Sequence, residues 1–315
     1  MHTKTNQMKK VKNLAFTAVL ALLVVSCRKD IPTENTNIDS VKQKEVAWHD
    51  QQTTPDAFNP LARGSSENLV MGNPSGAVAD ASYYWNYLMT KTQYTLSYHR
   101  DRGTPNWVSW HLDPTWLGST ARQDDFRADA TLPAGWYQVQ GTSYSGSGFD
   151  RGHNCPSADR TYSVTDNSAT FLMTNMIPQA PTNNQQTWAG LENYCRTLVN
   201  QGNELYIIAG SYGTGGTGTN GTFNTINNGH VTVPNRIWKV IVVLPQGTND
   251  LARVTTSTRV IAINTPNTNS ISTSWATYRT SVDAIESATG YNLLSNVSSS
   301  IQSVIESRVD NGPTQ

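Results

Sequence analysis

The run Asp150-Arg151-Gly152-His153, with Asn183-Asn184, Glu192 and Arg196 further along, joins side chains that together suit phosphodiester hydrolysis. Histidine is neutral near pH 7 and takes a proton from an attacking water. An asparagine oxygen serves a hard cation such as Mg²⁺, which prefers oxygen ligands and keeps most of its water. Guanidinium groups bind phosphate through two parallel hydrogen bonds and meet the charge that develops during transfer. The tetrapeptide alone is a weak signal. Its weight comes from the oxygen ligand, the carboxylate and the arginine that follow it.

Local elements must present these groups. Ser143-Tyr144-Ser145-Gly146-Ser147-Gly148 reads as an exposed turn ahead of His153. Residues 182–187 are polar, after which Trp188, Leu191, Cys195, Leu198 and Val199 recur at helical spacing, and Gly202 is a plausible stop. Glu192 and Arg196 stand one turn apart at the margin of that stripe. Asn184 lies just before the helix.

The wider sequence resembles the DNA/RNA non-specific endonucleases of the ββα-metal, or His-Me finger, fold. The resemblance is carried by residues 144–153, by Pro156-Ser157-Ala158-Asp159-Arg160, by residues 171–179, and by Asn183-Asn184, Trp188, Leu191-Glu192 and Arg196. It runs from about Leu69 to about Glu306. It implies an α+β fold with a central, mainly antiparallel sheet flanked by helices. It also implies roles: His153 as general base, Asn184 as the direct Mg²⁺ ligand with Mn²⁺ a possible substitute, and Glu192 holding a metal-bound water. Arg122 resembles the family's transition-state arginine and Arg196 a substrate contact, while Asp150 and Arg151 look like supports. Asn154-Cys155 depart from the small or apolar pair expected after the base. The implied activity is hydrolysis of DNA and RNA to 5′-phosphate ends. The alternative from a different class is a surface lipoprotein that binds nucleic acid or a partner without cutting.

The N-terminus carries Lys4, Lys9, Lys10 and Lys12, an apolar run over residues 14–25, and Ser26-Cys27. It reads as a signal peptide over residues 1–26, and the run is short for a membrane span. Val24-Val25-Ser26-Cys27 resembles a lipoprotein box, so Cys27 is the expected lipidation site and the protein is expected to be exported, to the outer membrane or otherwise secreted. The whole chain holds 23 basic and 23 acidic residues, and the first 26 carry four lysines and no acid, which leaves 19 against 23. A mildly acidic protein that binds a polyanion must cluster its arginines. Arg122, Arg127, Arg151, Arg160 and Arg196 are the candidates for substrate contact. Cys155 and Cys195 suggest a disulfide, exported proteins meeting oxidising conditions, with two buried free thiols as the alternative.

Residues 27–63 read as a lipidated end and flexible tether, residues 64–310 as one nuclease domain, and residues 311–315 as a tail. Residues 94–98 and 107–112 suggest a hairpin, and residues 171–176, 204–209, 237–244 and 259–264 suggest further strands. Residues 210–229 look like a surface excursion. Helices are expected over residues 272–288 and 301–308. His99 and His111 lack a base partner or metal spacing, and the tryptophans read as core.

Overall fold

The structure is a computed structural model, and it describes residues 64–315. The signal segment, Cys27 and the tether lie outside the described residues. Runs of β-branched and aromatic residues form strands Tyr87–Thr90 (β1), Thr95–His99 (β2) and Thr104–Leu112 (β3). Next come Asp150–His153 (β4), the short helix Val164–Ala169 (α1) and Met176–Gln179 (β5). A helix then opens with a π turn at Asn183–Trp188 and continues as Ala189–Asn200 (α2) into strand Asn203–Tyr212 (β6).

Two short hairpins follow, Gly216–Gly218 (β7) with Gly221–Phe223 (β8), and Thr225–Ile226 (β9) with Val231–Thr232 (β10). Strand Arg236–Pro245 (β11), turn helix Asp250–Arg253 (α3), strand Arg259–Pro266 (β12) and strand Arg279–Thr280 (β13) lead to helices Val282–Thr289 (α4) and Ser299–Ile305 (α5). Seven strands make one antiparallel sheet in the order β1-β2-β3-β6-β11-β12-β13. This is the α+β class expected from the sequence.

Alternate residues along the central strands point to opposite faces, so each face has its own core. Ile207, Ile241, Ile261 and Ile263 pack with Trp188 of the π turn and with Leu191, Cys195 and Leu198 of α2. Ile208, Val240, Val242 and Ala262 pack with Val282, Ile285, Leu294 and Ile305 on the other side. A smaller cluster of Val139, Tyr144, Phe149, Met173 and Met176 backs the β4–β5 hairpin. Trp107, Trp110, Trp116 and Trp188 are fully buried, as core packing requires.

Three expected elements are redrawn. The strand over residues 171–176 is instead a 3-10 turn at Met173–Asn175 followed by β5, because the Asn175 amide turns to the backbone of Cys155 and Thr170. The helix over residues 272–288 is divided. Arg279 and Thr280 pair with β12, and Ser281 caps a new helix by accepting from the Ala284 amide. In the glycine-rich excursion, β6 continues to Tyr212 and the rest forms hairpins. The last residues are tied down: the Asp310 carboxylate meets Arg259 and Arg279, and the Gly312 and Pro313 carbonyls accept from the same arginines. No helix among the described residues is long and apolar enough to cross a membrane.

Candidate active site

The β4–β5 hairpin carries the tetrapeptide, pairing Asp150 with Gln179, Gly152 with Ile177 and His153 with Met176. Gly152 must lack a side chain: a Cβ there would stand 2.3 Å from Gln179 Oε1 and 2.6 Å from Gln179 Cβ. That contact matters because Gln179 donates to Asn183, and Asn183 in turn donates to Thr265 Oγ1 and the Pro266 carbonyl. The hairpin, the start of the helix and β12 are thereby one hydrogen-bonded unit. Asn267, buried, completes it by accepting from the Ala180 amide and donating to the Pro178 carbonyl.

His153 is 8% exposed, with its ring against the edges of Phe126 at 5.5 Å and Phe171 at 5.0 Å. Burial, reinforced by the charges of Arg122 and Arg151 and only partly offset by a hydrogen bond to the Arg151 backbone, pushes its pKa down to about 3. Nε2 has no partner, so the bond to the backbone belongs to Nδ1. That bond fixes the tautomer and leaves the Nε2 lone pair free. The Asn154-Cys155 departure has a structural account. Asn154 is fully buried and donates to the Asn175 carbonyl through both backbone and side chain, while the Cys155 amide donates to Asn175 Oδ1.

A cleft of about 360 Å³ opens beside this hairpin, lined by Arg122, Phe126, Asp150, Arg151, Asn184 and Gln185 among others. Asn184 sits within the π turn, not ahead of the helix. Its Nδ2 donates to Asp150 Oδ2 at 2.8 Å, and Gln185 Nε2 donates to the same oxygen at 2.8 Å. The Asn184 amide is thereby oriented with its oxygen left for another partner. The oxygen donors here, an amide and a carboxylate, suit a hard cation.

Both arginines are held in place over aromatic rings. Arg151 lies 3.8 Å from the Phe126 ring centre and donates to the Gly141 carbonyl; Arg122 lies 4.8 Å from the Phe171 ring and donates to Asp124 and Ser157. The same rings therefore contact both guanidinium groups and the histidine.

The other candidates are placed differently. Like His153, which lies behind the cleft with Nε2 buried, Glu192 and Arg196 are not part of the cleft lining, and these two do not pair with one another. Glu192 faces the buried Lys239 at 3.6 Å, whose ammonium lies 4.4 Å from the Trp188 ring; burial, opposed by Lys239, raises the Glu192 pKa. Arg196 donates to Asp159 at 2.7 Å and to Asn193. Arg127 is tied to Asp125 and the Ser168 carbonyl, outside the lining. The expectation of a substrate contact fails for Arg160, which is fully buried, donates to the backbone of Gln93, His111 and Asp159, and stacks on Trp116.

The disulfide is not formed. Cys155 and Cys195 are buried free thiols, both pushed up to about 12 by burial, and they pack as small hydrophobes in the core. His111, read from the sequence as lacking a partner or metal spacing, lies between Glu204 at 3.0 Å and Glu67 at 3.5 Å and groups with Glu204 and Asp250, all far along the chain from it. The supporting residues Phe126, Gln185, Lys239 and Asn267 carry no signature in the sequence, since each acts through a partner distant along the chain.

Known proteins resemble the chain over most of its length. The chain is 53% identical over 251 residues to a nuclease of Nostoc sp., covering 80% of this chain and 89% of that one. It is 32% identical over 167 residues to human mitochondrial endonuclease G, covering 51% and 56% of the two chains. The solved structure of an EndoG/EndoGI complex superposes with a TM-score of 0.59 at 21% identity, over 74% of this chain and 92% of the other, and shares its fold. Residues 73–300 match the profile of one family. The chain therefore belongs to the DNA/RNA non-specific endonuclease family and is a nucleic-acid hydrolase of the ββα-metal fold.

Proposed function

We propose that the protein is a Mg²⁺-dependent endonuclease acting on both DNA and RNA, with His153 as general base and Asn184 as the direct metal ligand. The observation that carries this reading is the unpartnered Nε2 of a neutral His153, fixed on the same hairpin whose Asp150 orients Asn184. When bound, the cation supplies positive charge to the phosphate and the departing 3′ oxygen. His153 Nε2 takes the proton of the attacking water, and its bond to the Arg151 backbone keeps the imidazole oriented as charge develops. Arg122 and Arg151 grip phosphate oxygens at the cleft. Lys239 fixes the Glu192 carboxylate and Asp159 fixes Arg196; as the family resemblance implies, Glu192 would serve the hydration shell of a bound cation and Arg196 would contact substrate. Arg127 supports the segment that carries Arg122. Products carry 5′-phosphate ends, and contacts made to phosphate give little sequence preference.

The test is cleavage of circular DNA and structured RNA by the wild-type protein and by Asn184→Ala, in Mg²⁺ and in EDTA. Cutting of both substrates in Mg²⁺ alone, nearly abolished in the variant, is the expected result. A folded wild type that retains DNA without cutting it would instead support the binding-lipoprotein reading. The N-terminal features support export with a lipid on Cys27, an anchor on the outer membrane; a mature protein with an unmodified thiol at its N-terminus would exclude the anchor.

A further inference from the structure

On the sheet face away from α2, helices α4 and α5 meet through backbone and carboxylate groups. The Asp283 amide donates to the Glu306 carbonyl at 3.1 Å, so the first turn of α4 is fastened to the residue that ends α5. Asp283, Glu286 and Glu306 each place a carboxylate oxygen within 4.8 Å of the other two. Glu286 Oε1 accepts from the Leu293 amide at 2.7 Å. Glu306 is only 5% exposed, and its Oε1 is buried without a hydrogen-bond partner. Among the described residues, none of the three pairs with a lysine, arginine or histidine.

Like charges at this separation repel, and an unpaired buried oxygen is costly. Val282, Ile285 and Ile305 are buried beside these carboxylates and commit the two helices to this contact.

We propose that Asp283, Glu286 and Glu306 form a structural divalent-cation site, best suited to Ca²⁺, that staples α4 to the C-terminal helix. The donors are all carboxylate oxygens, with no nitrogen or sulfur to favour a transition metal. Asp283 is exposed and Glu286 half-buried, so water completes the shell. Ca²⁺ accepts such a flexible set of oxygens more readily than Mg²⁺, which demands near-ideal octahedral geometry. The site is separate from the nuclease cleft and shares no residue with it.

Thermal unfolding of the Asn184→Ala protein, in EDTA and in millimolar Ca²⁺ at about pH 8, where carboxylates are normally ionised, reads this site with the proposed catalytic ligand removed. Ca²⁺ should raise the midpoint by roughly 5 °C. Adding either Glu306→Gln or the exposed Asp283→Asn should abolish most of that shift. In the otherwise wild-type chain, Asp283→Asn should leave DNA cleavage unchanged. No Ca²⁺ shift in the Asn184→Ala protein, or equal shifts with and without the second substitution, would overturn the site and leave a protonated acidic cluster as the account.

Discussion

His153 is buried against Phe126 and Phe171 while two arginines stand close by, and both conditions favour the neutral ring. Truncation to alanine removes the proposed proton acceptor, so His153→Ala should lower kcat by roughly a hundredfold to ten-thousandfold with the fold intact by circular dichroism. The same burial makes a pH prediction. The folded pKa of about 3 lies below the unfolded value of about 6.5, so the unfolded chain takes up the proton first. This contribution to stability is fully present above about pH 6.5 and is lost as the pH falls toward 3. Denaturant midpoints measured across that window should fall less steeply in His153→Ala than in wild type, and parallel slopes would refute the assignment. Lys239 is the counterpart among the cations. Lys239→Met leaves the Glu192 carboxylate without its buried partner and should cost about 3 kcal/mol in urea unfolding. A loss near zero would mean that Glu192 finds another partner or a proton.

The hairpin and the helix opening act as one element. The π turn at Asn183–Trp188 aims successive side chains in different directions: Asn183 inward to β12, Asn184 and Gln185 toward Asp150. Gly152 lets Gln179 pass close enough to fasten that turn. In Gly152→Ala the added methyl meets the Gln179 side chain, and overpacking of this kind costs ~1–3 kcal/mol. Cleavage should fall by more than stability alone explains, because Arg151 and His153 flank the substituted residue. Wild-type activity and an unchanged unfolding midpoint together would show that Gln179 moves aside freely.

Across the whole molecule, charge is arranged locally. The chain is balanced at 23 basic and 23 acidic residues, yet Arg122 and Arg151 converge on one cleft. Attraction for a polyanion therefore rests on few contacts, so the logarithm of KM for DNA should rise with the logarithm of salt on a shallow slope, about that of two to four phosphate contacts. A steep slope typical of a uniformly basic binder would point to a wider nucleic-acid surface. The arginines not at the cleft serve the fold: Arg160 joins backbone carbonyls across the core, and Arg259 and Arg279 hold the C-terminal residues.

The sequence by itself determined what depends on local chemistry and periodicity. The apolar stripe from Trp188 to Val199, the stop at Gly202, the β2–β3 hairpin and the long strands β6, β11 and β12 follow from side-chain spacing that any burying partner would satisfy. The motif residues at Asp150, Arg151, His153 and Asn184 were legible because they lie in two short stretches. Tertiary structure alone decided matters that depend on partners distant in the chain. The helix expected over residues 272–288 yielded to pairing with β12, and the strand expected from Phe171 yielded to hydrogen bonds from Asn175. Arg160 and Arg122 are the same residue type in similarly polar surroundings, yet one is enclosed by the backbone of β3 and its neighbours while the other reaches the cleft. Cys155 and Cys195 are free thiols, because the pairing of two cysteines depends on where the packed chain places them. Burial and counter-charge are properties of the packed chain, and they set which of the candidate groups is free to act.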